Sequence, residues 1–430
     1  MRLPPAILGN TEEVLREILR FTAPADVTLS RYFKDHPRLG GRERGVIAEA
    51  VYAVLRNKSF FTDFGGAGNT PSMRRLTLMG MAETVGVDAL GGLSEEESQF
   101  LARIKEVDRK LLPPLMRANL PQWLYDKLVA QFGEQEALEL AAVLNTPAPL
   151  DLRVNSIKAE RDAVIAKLAE APIAAEPMPY APLGLRVFKK PALQNLPLFK
   201  EGAIEVQDEG SQVLSQIVGA RRGEMVVDFC AGAGGKTLAL GALMRNTGRL
   251  YAFDVSEKRL AKLKPRVARS GLSNVHPVVI AHERDAKVKR LAGKIDRVLV
   301  DAPCSGLGTL RRNPDVKWRQ KPEAIAEMQE KQAAILDSAA RLLKSGGRLV
   351  YATCSLLNEE NDVIVEQFLA THPDFELVPM SKVLAEQKIA LEMDQYLKLL
   401  PHKHQTDGFF AAVLERKPMA KAAKAEAPEE

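Results

Sequence analysis

The first 140 residues show the hydrophobic spacing of helices. Apolar residues recur at three- and four-residue intervals in EEVLREIL (12–19), RGVIAEAVYAVLRN (44–57) and SEEESQFLARIKEV (94–107). No alternating segment rich in Val, Ile and Thr interrupts them. The pattern predicts an all-α domain, a helical bundle, over residues 1–145.

A proline-containing break at residues 145–149 ends this region. The segments that follow alternate in type. LDLRVNSIK has the alternation of a strand, ERDAVIAKLAEA has the spacing of a helix, and GLRVF is a second strand candidate. We therefore expect a small α+β domain over residues 146–220.

From residue 221 strand-like segments alternate with helical ones. The strand candidates are EMVVDF, RLYAFD, VHPVVI, IDRVLVD and GRLVYAT. Such alternation is typical of an α/β fold with a parallel sheet covered on both faces, and we assign residues 221–417 to this domain. Residues 418–430 contain too few apolar side chains to bury a core and should form a disordered tail.

Composition limits the class of protein. The chain of 430 residues is 46% hydrophobic and 27% charged, as in an ordinary globular protein. It has no apolar run long enough for a transmembrane helix, and its first residues lack the pattern of a secretory signal. Its three cysteines cannot form a disulfide framework. We expect a cytoplasmic monomer without membrane contact.

Basic residues are concentrated in one part of the chain. The formal net charge is +5, but residues 251–350 alone carry 21 basic and 11 acidic side chains. A surplus of this size attracts a polyanion such as RNA, although solvated helix faces would give the same count.

A glycine-rich turn from Cys230 to Lys236 follows the strand candidate EMVVDF and leads into a helical stretch. In such a turn backbone N–H groups face a ligand. A phosphate loop is excluded, because Cys230 stands where a Walker A motif requires glycine, and a dinucleotide site is weakened by Thr237. An S-adenosylmethionine site and a plain tight turn remain open. Asp254 ends the next strand candidate, where a carboxylate can accept from ribose hydroxyls, and it favours a cofactor site.

Two cysteines directly follow strand candidates. Cys304 comes after IDRVLVDAP and Cys354 after GRLVYAT, so both thiols are expected at the carboxyl edge of the sheet. The chain lacks the ligand spacing of a zinc site and the C-x-x-C motif of a redox pair, which leaves nucleophilic chemistry. A thiolate needs electropositive surroundings, which we expect from the basic residues after Cys304: Arg311, Arg312, Lys317 and Arg319.

A thiolate beside a methyl donor suits one reaction in particular. The 5-carbon of a pyrimidine is too weak a nucleophile to take a methyl group directly, but addition of a thiolate to the 6-carbon turns the ring into an enamine. A carboxyl group near the ring nitrogen assists the addition, and Asp301 ends the strand before Cys304. These grounds do not decide which cysteine attacks.

Further segments carry a family resemblance. They are DFCAGAGGKT, DAPCSGLGTLRRNPDVKWR, YATCS followed by NEEND, and PHKHQTDGFF. Together they resemble the Sun/Nop family of RNA cytosine-5 methyltransferases. LRVNSIK and VQDEGSQ are similar to that family's small domain, and LGGRERGVIAEAVYAVLRN to the NusB-like RNA-binding domain of its bacterial ribosomal members. The resemblance implies a Rossmann-like fold, with S-adenosylmethionine as cofactor and no metal.

The resemblance also implies roles for individual residues. Cys354, in the Thr-Cys motif, is the nucleophile, and Cys304 assists product release, whereas DNA cytosine-5 methyltransferases attack with their Pro-Cys thiol. Asp301 contacts the base. The turn departs from the family at Gly232-Ala233, where Ala-Pro is usual, and arginine replaces the common glycine before Asp285. The implied cofactor contacts are Cys230, Ala231, Gly232, Ala233, Gly234, Gly235, Lys236, Asp254, Asp285 and Asp301.

We therefore expect an enzyme that methylates carbon 5 of a cytidine in RNA, with small-subunit (16S) ribosomal RNA as the substrate. Transfer RNA is the alternative substrate. A non-catalytic RNA-binding or ribosome assembly factor and a nicotinamide oxidoreductase are the rivals from other classes. The target base must leave its stack. Trp318 is a candidate stacking face for the flanking RNA, although we expect it in the core.

Overall fold

The computed structural model describes residues 3–67, 70–188 and 191–418. Its helices are α1 (Pro5–Ile18), α2 (Ala25–Asp35), α3 (Gly41–Arg56), α4 (Lys58–Gly65), α5 (Met73–Val85), α6 (Glu95–Lys105), α7 (Pro114–Ala118), α8 (Gln122–Phe132), α9 (Glu134–Leu144), α10 (Arg161–Glu170), α11 (Pro197–Lys200), α12 (Glu209–Ile217), α13 (Gly235–Leu243), α14 (Glu257–Ser270), α15 (Ala286–Lys289), α16 (Val316–Arg319), α17 (Pro322–Ala340), α18 (Asp362–Thr371), α19 (Met380–Gln387) and α20 (Pro401–His404). Its strands are β1 (Gly66–Ala67), β2 (Thr70–Pro71), β3 (Leu150–Val154), β4 (Ala175–Pro177), β5 (Gly184–Val187), β6 (Ile204–Val206), β7 (Met225–Asp228), β8 (Arg249–Asp254), β9 (Val275–Val279), β10 (Ile295–Asp301), β11 (Leu343–Thr353), β12 (Phe375–Val378), β13 (Leu397–Leu399) and β14 (Phe409–Arg416).

Contacts divide the described residues into two compact units. The helical unit contains residues up to 148 together with two segments from later in the chain, 305–325 and 400–407. The sheet unit contains the remaining described residues. The predicted disordered tail lies, apart from its first residue, outside the described residues.

Amphipathic helices build the core of the helical unit. Helices α1, α3 and α6 cover the three segments whose spacing is helical, and their apolar residues meet those of α5. Leu15, Val51 and Phe61 are completely buried there. Strands β1 and β2 form a two-residue antiparallel pair, which hydrophobic spacing does not predict because so short a strand has no period.

A buried lysine fixes the segment after Cys304 within the helical unit. The Lys317 ammonium donates to the carbonyls of Arg56 (3.1 Å) and Asn119 (2.7 Å) and to Asn145 Oδ1 (2.6 Å). These acceptors lie at the C-terminal ends of α3, α7 and α9, where the helix dipoles favour a cation. Burial nonetheless lowers the pKa of Lys317 well below its usual value.

The neighbouring tryptophan is also part of this core. The Trp318 ring packs among the apolar residues of the helical unit, and its indole N–H donates to the Leu55 carbonyl at 2.8 Å. The expectation that Trp318 lies in the core is confirmed. The ammonium groups of Lys58 and Lys317 also lie over the ring, 4.6 and 4.9 Å from its centroid, so Trp318 serves the packing of the helical unit.

The sheet unit contains two sheets. The smaller is antiparallel, with strand order β4-β5-β3-β6, and α10 lies between β3 and β4 in the chain. The larger has the order β12-β14-β11-β10-β7-β8-β9, with β13 beside β14. Its five strands from β11 to β9 are parallel, while β14 runs antiparallel to both β11 and β12. This arrangement confirms the predicted α/β fold class.

The parallel strands are nearly continuous apolar runs because both faces of the large sheet are covered. Val226, Leu299 and Val350 contribute to the apolar cluster on one face, and Val227, Val300 and Tyr351 to the cluster on the other. All six are completely buried. The strands therefore form a rigid support for the loops at their ends.

Candidate active site

Three of the parallel strands end in an aspartate and a fourth ends in a threonine at the same edge of the sheet. Asp228 ends β7, Asp254 ends β8, Asp301 ends β10 and Thr353 ends β11. Because β8, β7, β10 and β11 are consecutive neighbours in the sheet, the loops that follow them converge. The structure thus brings the glycine turn, the acidic residues and both predicted thiols to one edge.

The glycine turn connects β7 to α13 and leaves part of its backbone uncovered. Gly232 and Gly234 adopt left-handed conformations, with φ of +57° and +84°. A Cβ at Gly234 would lie 2.1 Å from Leu263 Cδ1, so this glycine allows α14 to pack closely. A Cβ at Gly232 or Gly235 would meet no atom nearer than 4.0 Å. The space over these two residues can receive a ligand.

Asp254 organises the turn from the neighbouring strand. Its carboxylate is buried and accepts the N–H of Gly232 at 2.8 Å and of Ser256 at 2.7 Å. Arg259 from α14 forms an ion pair with it at 2.9 Å. The carboxylate retains lone pairs for further donors, such as ribose hydroxyls.

Lys236 and Asp301 form an ion pair between the glycine turn and the loop that carries Cys304. Lys236 Nζ lies 2.7 Å from Asp301 Oδ2. Burial lowers the pKa of Lys236, but the Asp301 carboxylate and, to a smaller extent, Cys354 raise it above its usual value. Lys236 is therefore a cation at the edge of the sheet that carries the thiols.

The basic residues expected around Cys304 are used elsewhere. Arg312 pairs with the buried Asp407 at 2.6 Å, Arg319 pairs with Asp315 at 3.2 Å, and Lys317 is enclosed as described above. These charges serve packing within the helical unit. Arg311, the fourth of them, donates to the Pro147 carbonyl at 3.3 Å. A cation that does lie at the sheet edge is Lys236, whose position no charge count could reveal.

Cys304 and Cys354 are neighbours. Their Sγ atoms are 3.4 Å apart, and both side chains are partly exposed. The register of β10 and β11 produces this contact, because Asp301 pairs with Ala352 and each cysteine follows within three residues. Cys230 is also partly exposed, but it packs against the core, and burial raises the pKa of its thiol well above the usual value.

Asp285 occupies a different environment from the other aspartates. Its carboxylate accepts the N–H groups of Ala281 and Lys287, both at 2.8 Å, and so caps the short helix α15. These bonds lower its pKa. Its local role is to shape the loop after β9.

Asp228 was not singled out in the sequence, yet it is the most deeply buried acid near the turn. Its Oδ2 accepts the Thr237 hydroxyl at 2.6 Å, while its buried Oδ1 accepts nothing from the described residues. Burial raises the pKa of Asp228 to about 7, Asp301 and Asp254 add to the rise, and Thr237 opposes it. The residue type at a strand end did not distinguish it from Asp254 or Asp301.

A second group missed in the sequence connects the cysteine loops. Gln332 on α17 donates to the Pro303 carbonyl and to Glu360, each at 3.0 Å. Glu360 also accepts the Ser355 hydroxyl. The sequence signal was limited to the NEEND segment, which contributes Glu360, whereas Gln332 lies in an ordinary helix.

No three His, Cys, Asp or Glu side chains in the described part of the chain lie close enough together to hold a metal ion. Likewise, none of the helices among residues 3–418 that the structure describes is long and apolar enough to cross a membrane.

The sheet and its carboxyl edge are those of a Rossmann-like methyltransferase domain, and comparisons with known proteins agree. The family model for 16S rRNA methyltransferase RsmB/F matches residues 215–415, and that for the ferredoxin-like domain of RsmF/B-like methyltransferases matches residues 120–194. A methyltransferase homologue from Pyrococcus horikoshii shares the fold, with a TM-score of 0.61 and 29% identity over 72% of this chain and all of its own.

Two relatives extend the similarity over nearly the whole chain. The probable ribosomal RNA small subunit methyltransferase B of Synechocystis is 34% identical, covering 94% of this chain and 98% of the relative. The protein of the same name from Bacillus subtilis is also 34% identical, covering 94% and 97%. The chain therefore belongs to the RsmB/F family of 16S rRNA methyltransferases, and the resemblance drawn from its motifs is confirmed.

The environment of Asp228 generates a prediction about pH. A carboxyl whose pKa rises on folding, from about 3.9 to about 7, stabilises the fold when protonated, and this contribution is lost as the pH rises through 7. Asp228→Asn removes the titration. As the pH rises from 4 to 8, the unfolding free energy of the variant should therefore increase by roughly 4 kcal/mol relative to that of the wild type.

Thermal or urea unfolding of both proteins across this pH range measures the difference. If the difference in unfolding free energy between the two proteins does not change with pH, the raised pKa assigned to Asp228 is contradicted.

Proposed function

We propose that this protein methylates carbon 5 of a cytidine in 16S ribosomal RNA through a covalent adduct with Cys354. The observation that carries the proposal is the 3.4 Å contact between the Cys304 and Cys354 sulfurs at the edge that holds the glycine turn. Two adjacent carbons of one pyrimidine ring can each face one of two thiols that lie this close together. The family and its named relatives support RNA as the substrate.

The geometry suits S-adenosylmethionine, whose sulfonium supplies the methyl group. The uncovered backbone at Gly232 and Gly235 would hold its amino acid part, and the Asp254 carboxylate would accept from its ribose. Lys236 and Asp301 lie between the turn and the thiols. The Cys230 thiol packs against the core, so at this residue we assign the cofactor contact to the backbone of the turn.

The reaction begins with the Cys354 thiolate, which forms a bond to carbon 6 of the ring. Asp301 contacts the ring nitrogen, and the proton that this nitrogen takes up as electron density moves there comes from the Lys236 ammonium through the Asp301 carboxylate. Carbon 5 would then form a bond to the methyl group that the sulfonium supplies, and the methyl–sulfur bond would break with its electron pair left on sulfur. Cys304 receives the proton from carbon 5, the carbon 5–carbon 6 double bond re-forms, and the bond from carbon 6 to Cys354 breaks with its electron pair returning to sulfur.

RNA binding extends to the helical unit. A cleft of about 310 Å³ there is lined by Arg109, Lys110 and Arg117, with Asn57 and Phe60 among the other lining residues. Arg109 is held over the Phe60 ring, by Asn57 and by an ion pair with Glu83, so Lys110 and Arg117 are the cleft's cations that we assign to RNA phosphates. Cations beside amide groups and an aromatic face suit phosphates and bases of RNA.

Part of the basic surplus seen in the sequence is also available. In α14, Arg266 and Arg269 are consumed by ion pairs with Glu205, but Lys258 and Lys262 are exposed. We place the reaction in the cytoplasm, where the three cysteines stay reduced, as their free thiols require.

We expect different reaction outcomes when each of the two thiols is replaced. Cys354→Ser should abolish methyl transfer and form no covalent RNA complex, because a hydroxyl is far less nucleophilic than a thiolate at neutral pH. Cys304→Ser should form the adduct and deliver the methyl group but stall before elimination. A denaturing gel with radiolabelled RNA should show a protease-sensitive conjugate for Cys304→Ser only.

The reversed result, with a conjugate for Cys354→Ser alone, would make Cys304 the nucleophile. Full activity in both variants would remove both cysteines from the mechanism.

We expect Asp254→Ala to weaken the binding of the cofactor. The substitution removes an acceptor for the ribose and also releases the Gly232 N–H that shapes the turn. The loss should be about 1.5–3 kcal/mol of binding free energy. Calorimetry with S-adenosylmethionine measures it, with Asp337→Ala, a surface aspartate on α17 paired to Arg341, as the control. Equal affinities for the two variants would contradict the placement of Asp254.

The cleft predicts a change in the salt dependence of RNA binding. Lys110→Ala with Arg117→Ala should weaken binding and lower the slope of log affinity against log salt by roughly 1.5, since each phosphate contact contributes about 0.7–0.9. The control is Arg103→Ala with Lys105→Ala, which removes the same charge from exposed positions on α6. Filter binding at several salt concentrations that gives equal slopes for both pairs would exclude the cleft.

A further inference from the structure

The two cysteine loops are joined by buried polar side chains that do not touch the substrate in the mechanism above. Pro303 precedes Cys304, and Ser355 follows Cys354. Gln332 and Glu360 lie between these two loops, and both are completely buried. Buried polar groups at this depth persist only where their hydrogen bonds are satisfied or where they serve a purpose other than stability.

Gln332 acts as a double donor. Its Nε2 donates to the Pro303 carbonyl and to Glu360 Oε1, each at 3.0 Å. Its Oε1 is buried and accepts nothing from the described residues. The side chain therefore contributes only its two donors, one toward each cysteine loop, at the cost of an unsatisfied oxygen.

Glu360 completes the connection. One carboxyl oxygen accepts from Gln332 and the other accepts the Ser355 hydroxyl, while the Tyr351 hydroxyl donates to the Glu360 carbonyl at 2.6 Å. The connection thus runs from the residue before Cys304 to the residue after Cys354. We call Gln332 and Glu360 together the amide–carboxyl bridge.

A separate pair of bonds fixes only the Cys354 loop. Thr353 donates to Asn361 Oδ1 at 2.5 Å, and Asn361 Nδ2 donates to the Ser355 carbonyl at 3.1 Å. With its own loop held in this way, Cys354 keeps its place when the bridge is removed. The Cys304 loop is held to β11 by the Ala302 N–H, which donates to the Ala352 carbonyl at 2.8 Å, and one residue further on the bridge holds the Pro303 carbonyl, next to Cys304.

We propose that Gln332 and Glu360 are positioning residues that set the separation of the two thiols for the release step. This inference rests on the proposed function, in which Cys304 must reach the proton on carbon 5 while Cys354 is bound to carbon 6. A misplacement of about 1 Å can slow a reaction step on the order of a hundredfold. Loss of the bridge should therefore slow release more than adduct formation.

The test compares Gln332→Leu with Gln329→Leu in the full chain. Gln329 lies one turn earlier on the same helix and donates to the Glu359 carbonyl at 2.8 Å, so its replacement removes an equivalent bond without affecting Pro303. With small-subunit ribosomal RNA and S-adenosylmethionine, Gln332→Leu should accumulate the protease-sensitive conjugate and release product roughly ten- to a hundredfold more slowly. Gln329→Leu should match the wild type.

A second readout needs neither RNA nor cofactor. Diamide oxidises two neighbouring thiols to a disulfide and is itself reduced to the hydrazine, so the rate of Cys304–Cys354 disulfide formation, followed by mass spectrometry, reports how often the sulfurs meet. The rate should fall several-fold in Gln332→Leu and stay unchanged in Gln329→Leu. Glu360→Gln, whose amide can accept from Gln332 and donate to Ser355, should retain both release and the disulfide rate.

Three results would overturn the positioning role: equal behaviour of Gln332→Leu and Gln329→Leu, equal slowing of adduct formation and release, or an unchanged disulfide rate. If Gln332→Leu does not fold, Gln332→Asn carries the same expectations, because its amide is one methylene shorter and cannot reach both oxygens. If the disulfide rates of Gln332→Leu and Gln329→Leu differ but Cys304→Ser forms no conjugate, the proposed function is rejected. The bridge then remains the determinant of the thiol separation.

Discussion

The parallel pairing of β10 with β11 is the constraint on which the candidate site depends. It aligns Asp301 with Ala352, so that the chain leaves both strands at the same level and the two cysteine loops start side by side. A slip of one residue would reverse the faces of the apolar runs that cover both sides of the sheet. The same packing that stabilises the sheet therefore fixes the 3.4 Å contact between the thiols.

Few groups balance the negative charge at the carboxyl edge of the large sheet. Three aspartates end neighbouring strands, and their mutual repulsion is met by Lys236 on Asp301, by Arg259 on Asp254 and by partial protonation of Asp228. The solutions differ because the partners differ. Asp254 is about as buried as Asp228, with exposures of 2% and 1%, but it accepts two backbone N–H groups and pairs with Arg259. Asp228 accepts only the Thr237 hydroxyl among the described residues, and burial raises its pKa.

The two units use buried polar groups in contrasting ways. In the helical unit, Lys317 collects the C-terminal ends of three helices, which is a purely structural use of a cation. In the sheet unit, the amide–carboxyl bridge joins two loops and leaves one of its own oxygens unsatisfied. A stability role explains the first arrangement, and the second is better explained by the geometry it imposes on the thiols.

The sequence alone determined the α/β class and the five parallel strands, because hydrophobic runs and turn residues are local properties of the chain. It also determined the family, since motifs such as DFCAGAGGKT and YATCS combine rare residues in fixed order. Only the tertiary structure decided which cation accompanies the thiols. The basic side chains of Arg312, Lys317 and Arg319, which follow Cys304 in the sequence, are bonded within the helical unit. Lys236, far away in sequence, pairs with Asp301. It likewise decided the protonation of Asp228 and the place of Gln332, because burial and hydrogen bonding between distant segments leave no periodic trace in a sequence.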